Sequence, residues 1–232
     1  LLTDDDTLNF FAHDVFERGA ALLAVVRPKN KEELAAAVAA ATSQNITVIP
    51  RGGGMSYTGG YISNEPGAIL FDLAAMDRIL DINETDMTVT VEAGCTWAKL
   101  YEALQPKGLR TPFWGTLSGL KATVGGGMSQ NCLFWGSGRY GTAAQSCVAM
   151  EIVLANGSIL KTGSVFTRPY GPDLTGLFLA DTGALGMKAT VTMRLIQEAE
   201  AHGYASFTFE TYEDTLKAAA EIECSGIATE CF

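Results

Sequence analysis

Pro50–Gly60 reads PRGGGMSYTGG. Five of these eleven residues are glycine, and Arg51 is the one basic side chain. Glycine loses more conformational freedom on folding than any other residue, so a cluster of it needs a reason. The usual reasons are a positive φ or something pressed against bare backbone. The preceding residues narrow the choice. Ala20–Val26 (AALLAVV) is an apolar run of strand length that stops before Pro28. Asn30 and Glu33 form a capping pair ahead of the alanine-rich Lys31–Thr42, which reads as a helix. Ile46–Ile49 is a second short apolar strand. Strand, helix and strand with short connections make a parallel βαβ unit. The glycine loop therefore leaves the carboxyl end of a strand, where open α/β sheets bind ligands. Ala68–Leu73 (AILFDL) reads as a third strand.

The loop is neither of the two common phosphate motifs. No Gly-Lys-Ser/Thr occurs in the chain, which excludes a P-loop. Gly52 and Gly54 are followed by a segment containing Asn64, Pro66 and Gly67, not by the helix that a dinucleotide fingerprint opens. Two readings stay open for the loop alone. One is a nest of consecutive amides aimed at an anion, with Ser56 adding a hydroxyl. The other is a surface turn with spare glycine.

Beyond residue 75 the pattern changes. Arg78–Asn83 and Thr88–Ala93 alternate as strands around the polar turn at Glu84-Thr85-Asp86, and Thr96 caps a helix over Trp97–Leu104. Pro112–Gly141 is a long glycine-rich stretch. Cys147–Leu154 and Ser158–Lys161 flank Asn156-Gly157, a two-residue hairpin signal. Asp173–Leu179 suggests a short helix and Met187–Leu195 a strand. The expected fold class is α+β: a small parallel lobe over about 20–75, then a larger antiparallel lobe with flanking helices over 76–203. From about residue 204, Ser206–Glu210 alternates like a strand and Asp214–Cys224 reads as a helix. A strand and a helix need further strands to bury their face, so 204–232 reads as the start of a second domain.

Two further glycine clusters change the odds for the loop. Gly119–Asn131 (GLKATVGGGMSQN) carries Gly125-Gly126-Gly127, with GSGRYG close behind it, and Thr182–Met187 reads TGALGM. Three separate sets of bare backbone suit a long ligand that meets main chain at several points, such as a dinucleotide.

Bulk properties exclude other classes. The formal charge of −10 argues against nucleic acid and anionic membrane as partners. No apolar run reaches membrane-spanning length. Leu1–Asp6 is acidic, where a secretory leader is basic. The five cysteines show no CxxC spacing and read as free thiols in a reducing, cytoplasmic setting. His13 and His202 lie far apart, which leaves little basis for a metal site or a histidine triad.

PRGGGMS after a βαβ, then ATVGGGMSQN, GRYGT, VLANGSIL and DLTGLFLADTGALGM occur in this order over roughly residues 20–196. In that order and spacing the chain resembles the FAD-binding domain of the vanillyl-alcohol oxidase/p-cresol methylhydroxylase (PCMH-type) family. It looks most like the FAD-linked D-2-hydroxy-acid dehydrogenases and the glycolate oxidase flavin subunit. The resemblance implies a PCMH-type fold and FAD as cofactor. It makes Pro50, Arg51, Gly52, Gly53, Gly54, Met55 and Ser56 the diphosphate loop. It sets Thr123, Val124, Gly125, Gly126 and Asn131, then Arg139, Tyr140 and Gly141, along the ribityl chain and diphosphate. It turns Gly183, Gly186 and Met187 toward the pyrimidine end of the flavin or the adenosine. Arg168 and Tyr170 resemble a stretch that binds an anionic substrate; the other reading is a surface arginine beside a turn. Many covalent members have RGGGHS where this chain has RGGGMS. A thioether at Met55 forms no histidyl–flavin bond, so FAD is expected to be non-covalent.

The function implied is oxidation of a small hydroxylated substrate, plausibly a 2-hydroxy acid, by hydride transfer to flavin. The electron acceptor is then oxygen, a quinone or a redox protein. The alternatives are a non-redox flavin transferase of the same family and a nucleotide-binding module without catalysis.

Overall fold

The computed structural model describes residues 1–116, 119–164, 171–227 and 229–230. Asp4 caps a first helix, α1 (Asp5–Phe11), by accepting from the Thr7 amide. The strands β1 (Leu22–Val26), β2 (Val48–Arg51) and β3 (Ala68–Asp72) form a parallel sheet in the order β1-β3-β2. The βαβ expected from β1 and β2 is present, but its two strands are not neighbours. β3 lies between them, because AILFD is buried on both faces and such a strand belongs at the centre of a covered parallel sheet.

A five-stranded antiparallel sheet follows, with the order β4-β5-β9-β7-β8. Its strands are β4 (Ile79–Asn83), β5 (Thr88–Glu92), β7 (Cys147–Val153), β8 (Ile159–Gly163) and β9 (Met187–Arg194). β9 is buried over seven of its eight residues and joins two hairpins distant in sequence. A short pair, β6 (Leu109–Arg110) with β10 (Ile196–Gln197), stands apart. At Asn156-Gly157 the loop holds three residues rather than two. The Leu154 amide donates to the Ser158 carbonyl at 2.9 Å, and Gly157 alone takes a positive φ, 78°. Asn156 instead accepts from the Ser158 amide through its side chain.

α2 (Lys31–Thr42), capped by Asn30 as expected, lies between the two sheets. Leu34, Ala35 and Val38 share a core with Phe71, Val153, Met187 and Ala189. Lys31 pairs with Glu151 at 2.7 Å, and the Thr42 hydroxyl donates to the Ala155 carbonyl. The alanines keep the helix thin enough to sit there: a Cβ on Gly157 would lie 2.7 Å from that of Ala39.

The glycine-rich Pro112–Gly141, to which the sequence pattern assigns no element, contains α4 (Val124–Gln130) and the short α5 (Ser137–Tyr140), after α3 (Trp97–Leu104). Thr123 caps α4 by accepting from the Gly126 amide, which offsets the poor helix propensity of three glycines. Residues 206–210 form no strand; Phe207 is 68% exposed, and no strand pairs with the segment. α6 (Leu174–Leu177) follows its Asp173 cap. α7 (Tyr212–Cys224) has no buried residue. No helix among the described residues is long and apolar enough to cross a membrane.

Candidate cofactor-binding site

A cavity of about 380 Å³ opens where the carboxyl end of β2 faces α4. Its wall is Pro50 and Gly52–Thr58 on one side and Ala122–Thr123, Gly125–Gly127 and Ser129–Leu133 on the other, with Leu73, Ala93, Trp97, Thr182 and Lys188 among the residues that close it. Of the residues expected from sequence, Pro50, Gly52, Gly53, Gly54, Met55, Ser56, Thr123, Gly125, Gly126 and Asn131 line this one cavity.

The glycines allow the two sides of the wall to meet. A Cβ on Gly52 would run into the Thr123 hydroxyl, and one on Gly53 into the Lys121 carbonyl. A Cβ on Gly125 would lie 2.6 Å from that of Ala93. The bare backbone is thus required first by protein against protein. At Gly126 the nearest heavy atom to an added Cβ is Thr123 Oγ1, at 3.1 Å. Gly126 is therefore the least crowded of the three glycines on α4.

Donor chemistry separates the two walls. The amides of Gly52, Gly53, Gly54, Met55, Ser56 and Tyr57 donate to no acceptor among the described residues. On α4 the amides of Val124, Gly125, Gly126 and Gly127 are already bonded, to Cys95, Ala93, Thr123 Oγ1 and the Thr123 carbonyl. The free donors therefore belong to the loop, and α4 offers a flat surface. The Ser56 hydroxyl is shared with Thr58 at 2.8 Å.

Arg51 does not line the cavity. Its guanidinium lies 4.9 Å from the ring centroids of both Phe11 and Tyr61 and donates to the carbonyls of Phe11 and His13. Gly54, at φ 65°, curls over it, so that an added Cβ would lie 2.5 Å from its Nη2. The basic residue of the loop braces the loop from behind. Burial pulls its pKa down, against the opposing charges of Tyr61, Asp72 and Asp14.

The remaining expected residues lie off the wall. Val124 is buried in the main core. Arg139 covers the ring of Tyr140, which also faces Arg110, and Gly141 turns at φ 83° against Gln145. Gly183 abuts Pro50, Gly186 abuts Ile152, and Met187 is core. Arg168 and Tyr170 lie outside the described residues.

Sequence reasoning passed over Lys188. It is the one Lys, Arg, His, Asp or Glu among the described residues that line the cavity. Its Nζ donates to Asp181 Oδ1 at 2.6 Å, with the two side chains only 2% and 3% exposed. Asp181 also accepts from the Gly183 amide at 2.9 Å. Burial lowers the Lys188 pKa, and Asp181 opposes that shift. The sequence holds little signal for it: MKATVTMR has two threonines and an arginine besides the lysine, and only the structure shows that seven of its eight residues, Lys188 included, are buried.

A wall of free amides, a flat glycine surface and a lone cation, with no carboxylate among the described lining residues, fits an anionic ligand with a planar part. FAD has both. The family described as FAD binding domain matches residues 22–163. Among curated proteins the chain is 29% identical over 201 residues to glycolate oxidase subunit GlcD of Bacillus subtilis, covering 86% of this chain and 42% of that one. It is 30% identical over 204 residues to a mitochondrial D-lactate dehydrogenase [cytochrome] of Arabidopsis thaliana, covering 88% and 35%. The chain thus spans less than half the length of these relatives. Among solved structures, an alkyldihydroxyacetonephosphate synthase matches with a TM-score of 0.75 at 23% identity, covering 87% of this chain and 39% of that one, which is a likeness of fold. The matched span holds both the 50–58 loop and α4, and the chain belongs to the FAD binding domain family.

Proposed function

We propose that this chain is the FAD-holding part of a flavin-dependent oxidoreductase that oxidises a small hydroxylated substrate of the 2-hydroxy-acid class. The observation that carries this reading is the run of free amides from Gly52 to Tyr57 on the wall of a cavity whose opposite side is glycine. Backbone donors suit a diphosphate because they are fixed by the fold and need no reorganisation on binding. The substrate class follows the printed names of the glycolate oxidase and D-lactate dehydrogenase relatives. When bound, FAD supplies an acceptor for the hydride of an alcohol carbon. The chain's own residues do the rest: the loop amides bind the diphosphate, α4 gives the cofactor a flat surface, and Trp97 and Leu73 keep water from that wall. The electron acceptor is oxygen, a quinone or a redox protein.

In this reading residues 1–203 form the FAD-binding unit and 204–232 open a second one. The exposed Tyr204, Phe207, Tyr212 and Leu216, apolar groups without cover here, support that division.

The test is titration of flavin-free protein with FAD, followed by flavin fluorescence and absorbance. One FAD per chain is expected; no binding would sink the reading. Anaerobic bleaching by D-lactate or glycolate, measured on a chain that continues past residue 232, then tests the substrate class.

A further inference from the structure

We propose that Lys188 is a diphosphate-binding residue of the cavity, a cation that adds to the loop amides and is held in place by Asp181. This rests on the FAD reading above. Three observations point the same way. The chain carries a formal charge of −10, yet the one charged side chain among the described cavity-lining residues is this lysine. Its side chain is 2% exposed, and among the described residues its ammonium has a single acceptor, Asp181 Oδ1, for its three protons. A buried cation with open donors is costly, so its retention calls for an acceptor that arrives from outside.

The third observation is where the ammonium stands. Asp181 opens the turn that brings Gly183 against Pro50, with an added Cβ on Gly183 only 2.5 Å from Pro50 Cγ. That contact sets the turn whose Asp181 holds the ammonium beside the start of the 50–58 loop. Ala180 and Thr182 hold left-handed φ values of 58° and 54° in this turn. Non-glycine residues adopt that region at a cost. The turn is pinned by the Ala180 amide on the Met128 carbonyl, the Thr182 amide on the Ser129 carbonyl and the Gly183 amide on Asp181. Asp181 thus does two things: it fixes the turn and it orients the ammonium. The free amides and the ammonium then meet the same anionic group.

The experiment compares wild type with Lys188→Met, which keeps the length of the side chain and removes the charge. FAD, ADP and riboflavin are titrated into flavin-free protein. Loss of one charge-assisted contact should weaken FAD and ADP by about 10- to 100-fold and leave neutral riboflavin within about twofold. Unchanged FAD and ADP affinity overturns the proposal. So does an equal loss for riboflavin, which would put Lys188 against the ring or make it purely structural. Should Lys188→Met fail to fold with Asp181 unpaired, the double variant Asp181→Asn/Lys188→Met removes both charges, and the same selective loss is expected of it. Failure of the FAD reading looks different: wild type itself then binds no FAD. In that case ADP decides on Lys188: an ADP loss in the variant supports the proposal, and no ADP binding by wild type overturns it.

Discussion

A Cβ on Gly125 would lie 2.6 Å from the Cβ of Ala93, whereas one on the adjacent Gly126 would meet nothing nearer than the Thr123 hydroxyl at 3.1 Å. Neighbouring glycines on one turn of helix therefore have different jobs. Gly125→Ala should drive α4 off the antiparallel sheet and destabilise the fold by about 1–3 kcal/mol. Gly126→Ala should keep or slightly raise stability, by helix propensity, and weaken FAD binding by placing a methyl on the cavity wall. Urea midpoints and FAD titrations separate the two. Equal midpoints would refute the assignment.

The guanidinium of Arg51 is enclosed by Phe11, Tyr61 and two carbonyls, all within the protein. Arg51→Met should cost about 2 kcal/mol of stability through lost cation–π and hydrogen-bond contacts. Arg51→Lys should recover little of it, because an ammonium lacks the planar fork. Any fall in FAD affinity should track the loss of α1 from its docking site, seen by proteolysis within the first fifteen or so residues. A variant with full stability and weak FAD binding would instead place Arg51 on the ligand.

Burial pushes the Cys147 thiol up to about 12 and the Cys95 thiol up to about 11. Both stay protonated at pH 8, and the thiol form is unreactive. With a maleimide at that pH, peptide mapping should find exposed Cys224 modified first. Cys95 and Cys147 should react only after denaturation. Cys132, which lines the cavity, should be slowed further by added FAD. Rapid native labelling of Cys147 would contradict its burial.

Met55 stands on the cavity wall, at the position where many covalent members of the resembled family have histidine. A thioether cannot make that bond, so acid precipitation of the FAD-loaded protein should leave the yellow colour in the supernatant. Flavin retained in the pellet would require another attachment point.

Local signals in the sequence translated directly where a side chain caps or a pattern repeats. Asn30 ahead of Lys31–Thr42 and Thr96 ahead of Trp97–Leu104 mark both helices to the residue. α4 was missed because three glycines hide a helix whose stability comes from Thr123 and from packing on Ala93. The strand at 206–210 was over-read because alternation forms a strand only when a partner strand is present.

The central strands, the helices capped by Asn30 and Thr96 and the position of PRGGGMSYTGG after a strand are legible in the sequence, since these depend on short-range periodicity and capping. Only the tertiary structure decided why that loop is glycine-rich: Gly52 and Gly53 close on Thr123 and Lys121, some seventy residues further on in the chain. It also turned Arg51 inward and brought Lys188 to the cavity wall. Those outcomes depend on which surfaces meet, and no local pattern encodes a contact between segments so far apart.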